Sequence, residues 1–133
     1  MRIVIVGIGK VGRALAEHLS REGHDVAAID NRPGMAERLA DELDVLGIEG
    51  NGAAYTTQQQ ARAGQADLVI AATSEDEVNI LACMTAKKLG AKNTIARVRS
   101  VEYERQLRFM QQEMGLSLYI NPERETARDI ARI

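Results

Sequence analysis

Apolar runs of strand length alternate with stretches of helical spacing along the whole chain. Ile3-Val4-Ile5-Val6 leads into Gly7-Ile8-Gly9-Lys10-Val11-Gly12. Ala14, Leu15 and Leu19 then recur at helical intervals as far as Gly23, which suits a helix end. Val26 to Ile29 reads as a second buried strand and Asn31-Arg32-Pro33-Gly34 as a turn. Met35 to Leu43 reads as a helix with Met35, Leu39 and Leu43 on one face. Val45 to Ile48 is a third strand, closed by Gly50-Asn51-Gly52. Thr56 to Gly64 predicts a helix that buries little, since it has three consecutive glutamines and no large aliphatic side chain. Leu68 to Ala72 is a fourth strand. Ser74 and Glu77 have capping-box spacing and open a helix that runs to Leu89, with Gly90 closing it. Thr94 to Val98 is a fifth strand, and Ser100 caps a helix carrying Tyr103, Leu107, Met110 and Met114 on one stripe. Leu116, Leu118 and Ile120 alternate with Ser117 and Tyr119, as in a half-exposed edge strand. Asn121 and Pro122 open a last helix, to Ile133.

Six strands alternating with helices predict an α/β fold: a Rossmann-type, doubly wound, mainly parallel six-stranded sheet with helices on both faces. The usual strand order, 3-2-1-4-5-6, puts a crevice between the first and fourth strands, at their C-terminal ends.

The candidate chemistry lies at those strand ends. The G-x-G-x-x-G pattern assigns Gly7 to a tight turn, Gly9 to close approach of a pyrophosphate, and Gly12 to close packing of the following helix. Ile8, Lys10 and Val11 complete the loop, and the helix N-terminus offers unpaired N–H groups to an anion. Lys10 either reaches the phosphates as a point charge or is a solvated residue at the helix start. Asp30 lies eighteen residues past Gly12, close to the ~20 expected of the acid that accepts from an adenosine ribose. A carboxylate there repels a 2′-phosphate and favours NAD over NADP, whereas Arg32 could neutralise such a phosphate. Asn31 shares the turn. Asn51, Gly52 and Ala53 follow the third strand, where small residues let an adenine lie on the backbone. Ala72, Thr73 and Ser74 follow the fourth. Arg97, near the end of the fifth, needs a partner: a nucleotide phosphate or ribose, or a carboxylate such as Glu77 or Glu102.

Composition narrows the classes. The 133 residues suit a single domain, and a net charge of −2 creates no field for nucleic acid or acidic lipid. Aromatic residues at 3%, with no Trp, leave little to stack on bases. No apolar run approaches the ~20 residues of a membrane span. The first strand does not read as a signal peptide. One cysteine allows no internal disulfide and suits a reducing cytoplasmic setting, and with two histidines no zinc cluster is credible.

The chain resembles the N-terminal nucleotide-binding domain of TrkA-type regulators of potassium transport, the RCK or KTN domain. The resemblance rests on the Gly7–Gly12 loop, on Gly23-His24-Asp25-Val26 leading to Asp30, and on Ala66 to Thr73. Glu77-Val78-Asn79, Thr94 to Val98 and Tyr103 extend it. It implies binding of NAD(H) or ATP/ADP by the Gly loop, Asp30, the third-strand turn, Ala72-Thr73 and Arg97. It implies a Rossmann domain over residues 1–121 and a crossover or dimerisation helix over residues 122–133. It also implies a homo-oligomer, a dimer or a higher ring, that acts on a membrane potassium transporter or channel subunit. The domain would then be cytoplasmic, at the inner face of the membrane, without inserting into it. Two positions depart from the family: Asn51 where many members carry aspartate, and Lys10 where many carry arginine.

The rival reading is the cofactor domain of an NAD-dependent oxidoreductase lacking its substrate domain. His18, within the first helix, and His24, at the start of the second strand, both lie away from the crevice. Cys83 falls mid-helix among apolar residues, and Glu75, Asp76 and Glu77 read as first-turn charges. The expected role is therefore a sensor and not an enzyme. A third possibility, assembly, comes from the helix over 76–89. Val78, Leu81, Ala82 and Ala86 form one apolar face, and Ile80 with Met84 extends another.

Overall fold

The computed structural model describes residues 1–110 and 118–120. In chain order these form β1 (Arg2–Val6), α1 (Lys10–Arg21), β2 (Asp25–Asp30), α2 (Met35–Glu42), β3 (Leu46–Glu49) and α3 (Tyr55–Gln60). A 3-10 turn (Ala63–Gln65), β4 (Leu68–Ala71), α4 (Asp76–Leu89), β5 (Asn93–Arg97), α5 (Val101–Phe109) and β6 (Leu118–Ile120) follow. The six strands make one sheet in the order β3-β2-β1-β4-β5-β6, with every neighbouring pair parallel.

The apolar runs explain this arrangement. Successive side chains of a strand point to opposite faces, so a run that is apolar throughout is buried on both. On β1, Ile3 and Ile5 join Ile8, Ala16, Ala36 and Leu39 on the face covered by α1 and α2. Val4 and Val6 point the other way, toward Ala82, Cys83 and Ala86 of α4 and Leu107 of α5. Each buried aliphatic side chain contributes about 1.5–3 kcal/mol. Shifting β1 by one residue would exchange its two sets of side chains, so its register is tightly held.

Four sequence expectations change. The helix over 56–64 breaks: α3 stops at Gln60, Arg62 turns left-handed at φ 55°, and the 3-10 turn completes the segment. Nor does it bury little. Thr57 is 8% exposed and Gln58 0%. The Gln58 amide Nε2 donates to the carbonyls of Gly52 and Ala82, both at 2.8 Å, so a polar side chain does the work of a core residue. The Ser74 capping box does not form. Helix α4 begins at Asp76, the N-cap position is Glu75, and the Thr73 hydroxyl accepts from the Glu75 N–H at 3.2 Å. On α4 the first expected apolar face divides. Ala82 and Ala86 are fully buried and Ile80 packs on the same core, but Leu81 is 53% exposed.

Strands β2, β3, β4 and β5 differ from expectation by one residue at one or both ends. Helix α5 buries Leu107, and Tyr103 packs on the same core. Ser100 caps it by accepting from the Tyr103 N–H at 3.4 Å. Met114, Leu116 and the last helix, with the boundary between residues 121 and 122, lie outside the described residues.

Candidate nucleotide-binding site

The end of β1 turns at Gly7, whose φ of +100° strongly favours glycine. A Cβ there would also crowd Thr73 at 2.9 Å. The Gly7 N–H donates to the Ile29 carbonyl at 2.7 Å and joins the loop to β2. Gly12 sits against the Gly7 carbonyl so closely that a Cβ would collide with it. At Gly9 the opposite holds: a Cβ would meet nothing within 4 Å. The loop is therefore tight on its core side and open at Gly9, as a cradle for a pyrophosphate requires. Ile8 and Val11 turn their side chains into the core, so they serve the site through their backbone.

Helix α1 begins directly from this loop. Gly9 at its N-cap offers no side-chain acceptor, and its first turn holds no acidic residue. The first turns of α2, α4 and α5 each carry acids: Glu37; Asp76 and Glu77; Glu102 and Glu104. Among the described helices of eight residues or more, α1 alone has no acid in its first turn. Lys10, exposed at its first position, adds a cation.

Asp30 ends β2 beside this loop and is 6% exposed. Its Oδ2 accepts from the Ile8 N–H at 2.8 Å and from Arg32 Nη2 at 2.9 Å. Its Oδ1 accepts from the Arg32 N–H at 2.9 Å and from Arg32 Nε at 3.0 Å. Burial works against the charged carboxylate. The Arg32 side chain, the Arg32 and Ile8 N–H groups and the guanidinium charge outweigh it, so the carboxyl titrates below the usual range. Arg32 is thus paired with Asp30. Asn31 lies exposed on the same turn.

The turn after β3 is tied in by the Gly50 N–H, which donates to the Asp30 carbonyl at 3.0 Å. Gly52 is buried, and a Cβ on it would collide with Val6. Its smallness therefore serves the packing of β1. Asn51 is exposed, and its Oδ1 accepts from the Ala53 N–H at 3.0 Å within its own turn.

Between β4 and β5 the structure shows a residue the sequence reading left out of the site. Asn79 on α4 is completely buried. Its Oδ1 accepts from the Thr73 N–H at 2.8 Å and the Thr73 hydroxyl at 2.7 Å. Its Nδ2 donates to the carbonyls of Thr73 at 3.1 Å and Arg97 at 2.9 Å. Arg97 Nη1 reaches the same Thr73 carbonyl at 3.3 Å. Asn79 therefore clamps the two strand ends in one geometry. The signal in sequence was an amide, Asn79, at the fourth position of α4, flanked by Val78 and Ile80. Asp76 acts similarly, accepting from the N–H groups of Arg99 and Ser100, at 2.8 Å from the latter. Ala72 is buried and donates its N–H to the Val6 carbonyl at 2.8 Å. Ser74 is exposed, and its carbonyl takes Arg99 Nη2 at 3.0 Å. An open cleft of about 490 Å³ lies beside these loops, lined by Ser74–Glu77, Arg99, Ser100 and Tyr103. The Glu77 charge, with burial, raises the Tyr103 phenol above its ordinary value.

The other reactive side chains lie elsewhere. Cys83 is buried, its thiol pushed up to about 12 by burial. His18 pairs with Glu22 at 3.1 Å on α1, and His24 contacts the N-terminal amine at 3.0 Å.

Sheet order, switch point and Gly loop define a Rossmann-type α/β domain. The family described as the TrkA-N domain matches residues 3–122, and the chain belongs to it. It is 41% identical to the Trk system potassium uptake protein TrkA homolog of Archaeoglobus fulgidus, over its full length and 30% of that protein. Among solved structures, the TrkA-N domain of inner membrane protein ybaL from Escherichia coli superposes with a TM-score of 0.81 at 22% identity. The match covers 98% of this chain and 94% of that one. The GsuK channel bound to NAD superposes at 0.74 and 22% identity, over 90% of this chain and 21% of that one. GsuK is also solved bound to ADP. The chain spans under a third of the Archaeoglobus relative's length.

Proposed function

We propose that this domain is a nucleotide-responsive regulator of potassium transport. The observation that carries the reading is the open Gly loop leading into an acid-free helix N-terminus, with a buried carboxylate beside it. The α1 N–H groups and Lys10 would hold a pyrophosphate, and Asp30 would accept from the adenosine ribose. Thr73 and Arg97, held by Asn79, would face the remainder of the ligand. NAD(H) fits the acid at the ribose position best, and ATP or ADP offers the same adenosine and phosphates. The likeness to GsuK, solved with NAD and with ADP, supports both.

The domain does no chemistry on its ligand. Its two histidines are engaged at the far side of α1 and at the N-terminus, and its thiol is sealed in the core. Binding instead biases the strand-end loops, which requires the ligand to prefer one conformation. The partners are a second copy of the chain, in a dimer or higher ring, and a membrane potassium transporter or channel subunit. This places the domain in the cytoplasm at the inner face of the membrane. In this scheme residues 1–121 bind nucleotide, and residues 122–133 cross to the partner copy.

The test is calorimetric titration with NADH, NAD, ATP and ADP. Binding by at least one is expected, and Asp30→Ala should weaken it by about 1–3 kcal/mol, the worth of hydrogen bonds to a charged group. No binding at millimolar concentration would overturn the reading. Sizing chromatography at two concentrations checks self-association, and a monomer at both would count against it.

A further inference from the structure

We infer that Arg32 is a built-in competitor for the ribose site and sets how tightly this domain holds an adenosine ligand. The inference rests on the nucleotide-binding reading and deepens it. A carboxylate has about four lone-pair directions. At Asp30 all four are taken: two by the Ile8 and Arg32 N–H groups, and two by Nε and Nη2 of Arg32. The backbone donors belong to the loop and turn and stay in place. The positions that a vicinal ribose diol needs are those filled by the guanidinium, itself a planar fork of two adjacent donors. Diol and fork therefore exclude one another.

Arg32 can leave. Its side chain is 55% exposed, while that of Asp30 is 5% exposed. A displaced guanidinium would be solvated, whereas the carboxylate remains buried and must be given replacement donors. The ribose hydroxyls supply them. Ligand affinity is thus reduced by the strength of the ion pair that must open first. A ligand without the diol gains nothing from opening it.

The experiment compares wild type with Arg32→Gln, using ADP and 2′,3′-dideoxy-ADP in calorimetry. Arg32→Gln removes the charge and the fork and keeps the backbone N–H. ADP should bind the variant about fivefold tighter, the order expected of an exposed bidentate pair. Dideoxy-ADP should bind both proteins with nearly equal affinity. Melting curves check that the half-exposed substitution leaves the fold intact, and Arg32→Ala provides a second variant. Equal or weaker ADP binding by both variants would overturn the inference while leaving nucleotide binding standing. An equal gain with both ligands would also overturn it, since the effect would not run through the diol. Failure of ADP and NADH to bind wild type or variant would overturn the nucleotide-binding reading, and this inference with it.

Discussion

At the scale of single residues the site is a set of side chains that hold backbone in place. Asn79 is the clearest case, its side-chain amide bonding Thr73 and Arg97. Asn79→Ala leaves buried donors and acceptors unpaired and should cost about 2–3 kcal/mol, read by denaturant unfolding. Asn79→Asp should not restore it, because a carboxylate cannot donate to the two carbonyls. Asp30 carries a pH signature. Its folded carboxyl titrates below its ordinary value of about 4, so its contribution is present above that pH and lost as pH falls through the folded value. The melting-temperature gap between wild type and Asp30→Asn should be widest near neutrality and close in acid. A gap that widened in acid would show the carboxyl is not held charged. Asp30 was legible from its distance to the Gly loop. Its capture by Arg32 was not, because spacing shows that two residues share a turn and not which atoms meet.

At the scale of elements, periodicity predicted the strand and helix order because each central strand is apolar on both faces. It failed at α3, where polarity was read as exposure. Gln58 satisfies two carbonyls from a fully buried position, which hydrophobic spacing cannot show. Gln58→Leu should cost about 1–3 kcal/mol by leaving the Gly52 and Ala82 carbonyls without that donor. Gly52 was legible as a glycine but assigned to the adenine, while its small size serves Val6. Gly52→Ala should destabilise by about 1–3 kcal/mol through overpacking. Val6→Ala in the same chain should recover part of that loss. Additive losses in the double variant would place the clash elsewhere. The capping box at Ser74 failed because α4 starts at Asp76 with Glu75 at the N-cap, and the Thr73 hydroxyl takes the Glu75 N–H instead.

At the scale of the whole molecule, the parallel order β3-β2-β1-β4-β5-β6 brings the ends of five strands, β1 to β5, to one rim. Residues from positions 7 to 97 meet there, which is why short motifs found far apart along the chain converge. The rim is tight where glycines face the core and open where Gly9 faces outward. The central claim is that this rim holds an adenine nucleotide by its phosphates and its ribose. Calorimetric titration of NADH into wild type and Asp30→Ala tests both halves together. Saturable one-site binding to wild type, with affinity about tenfold or more lower in the variant, is the expected result. Equal affinity in the two proteins, or no heat of binding at millimolar NADH, would contradict it.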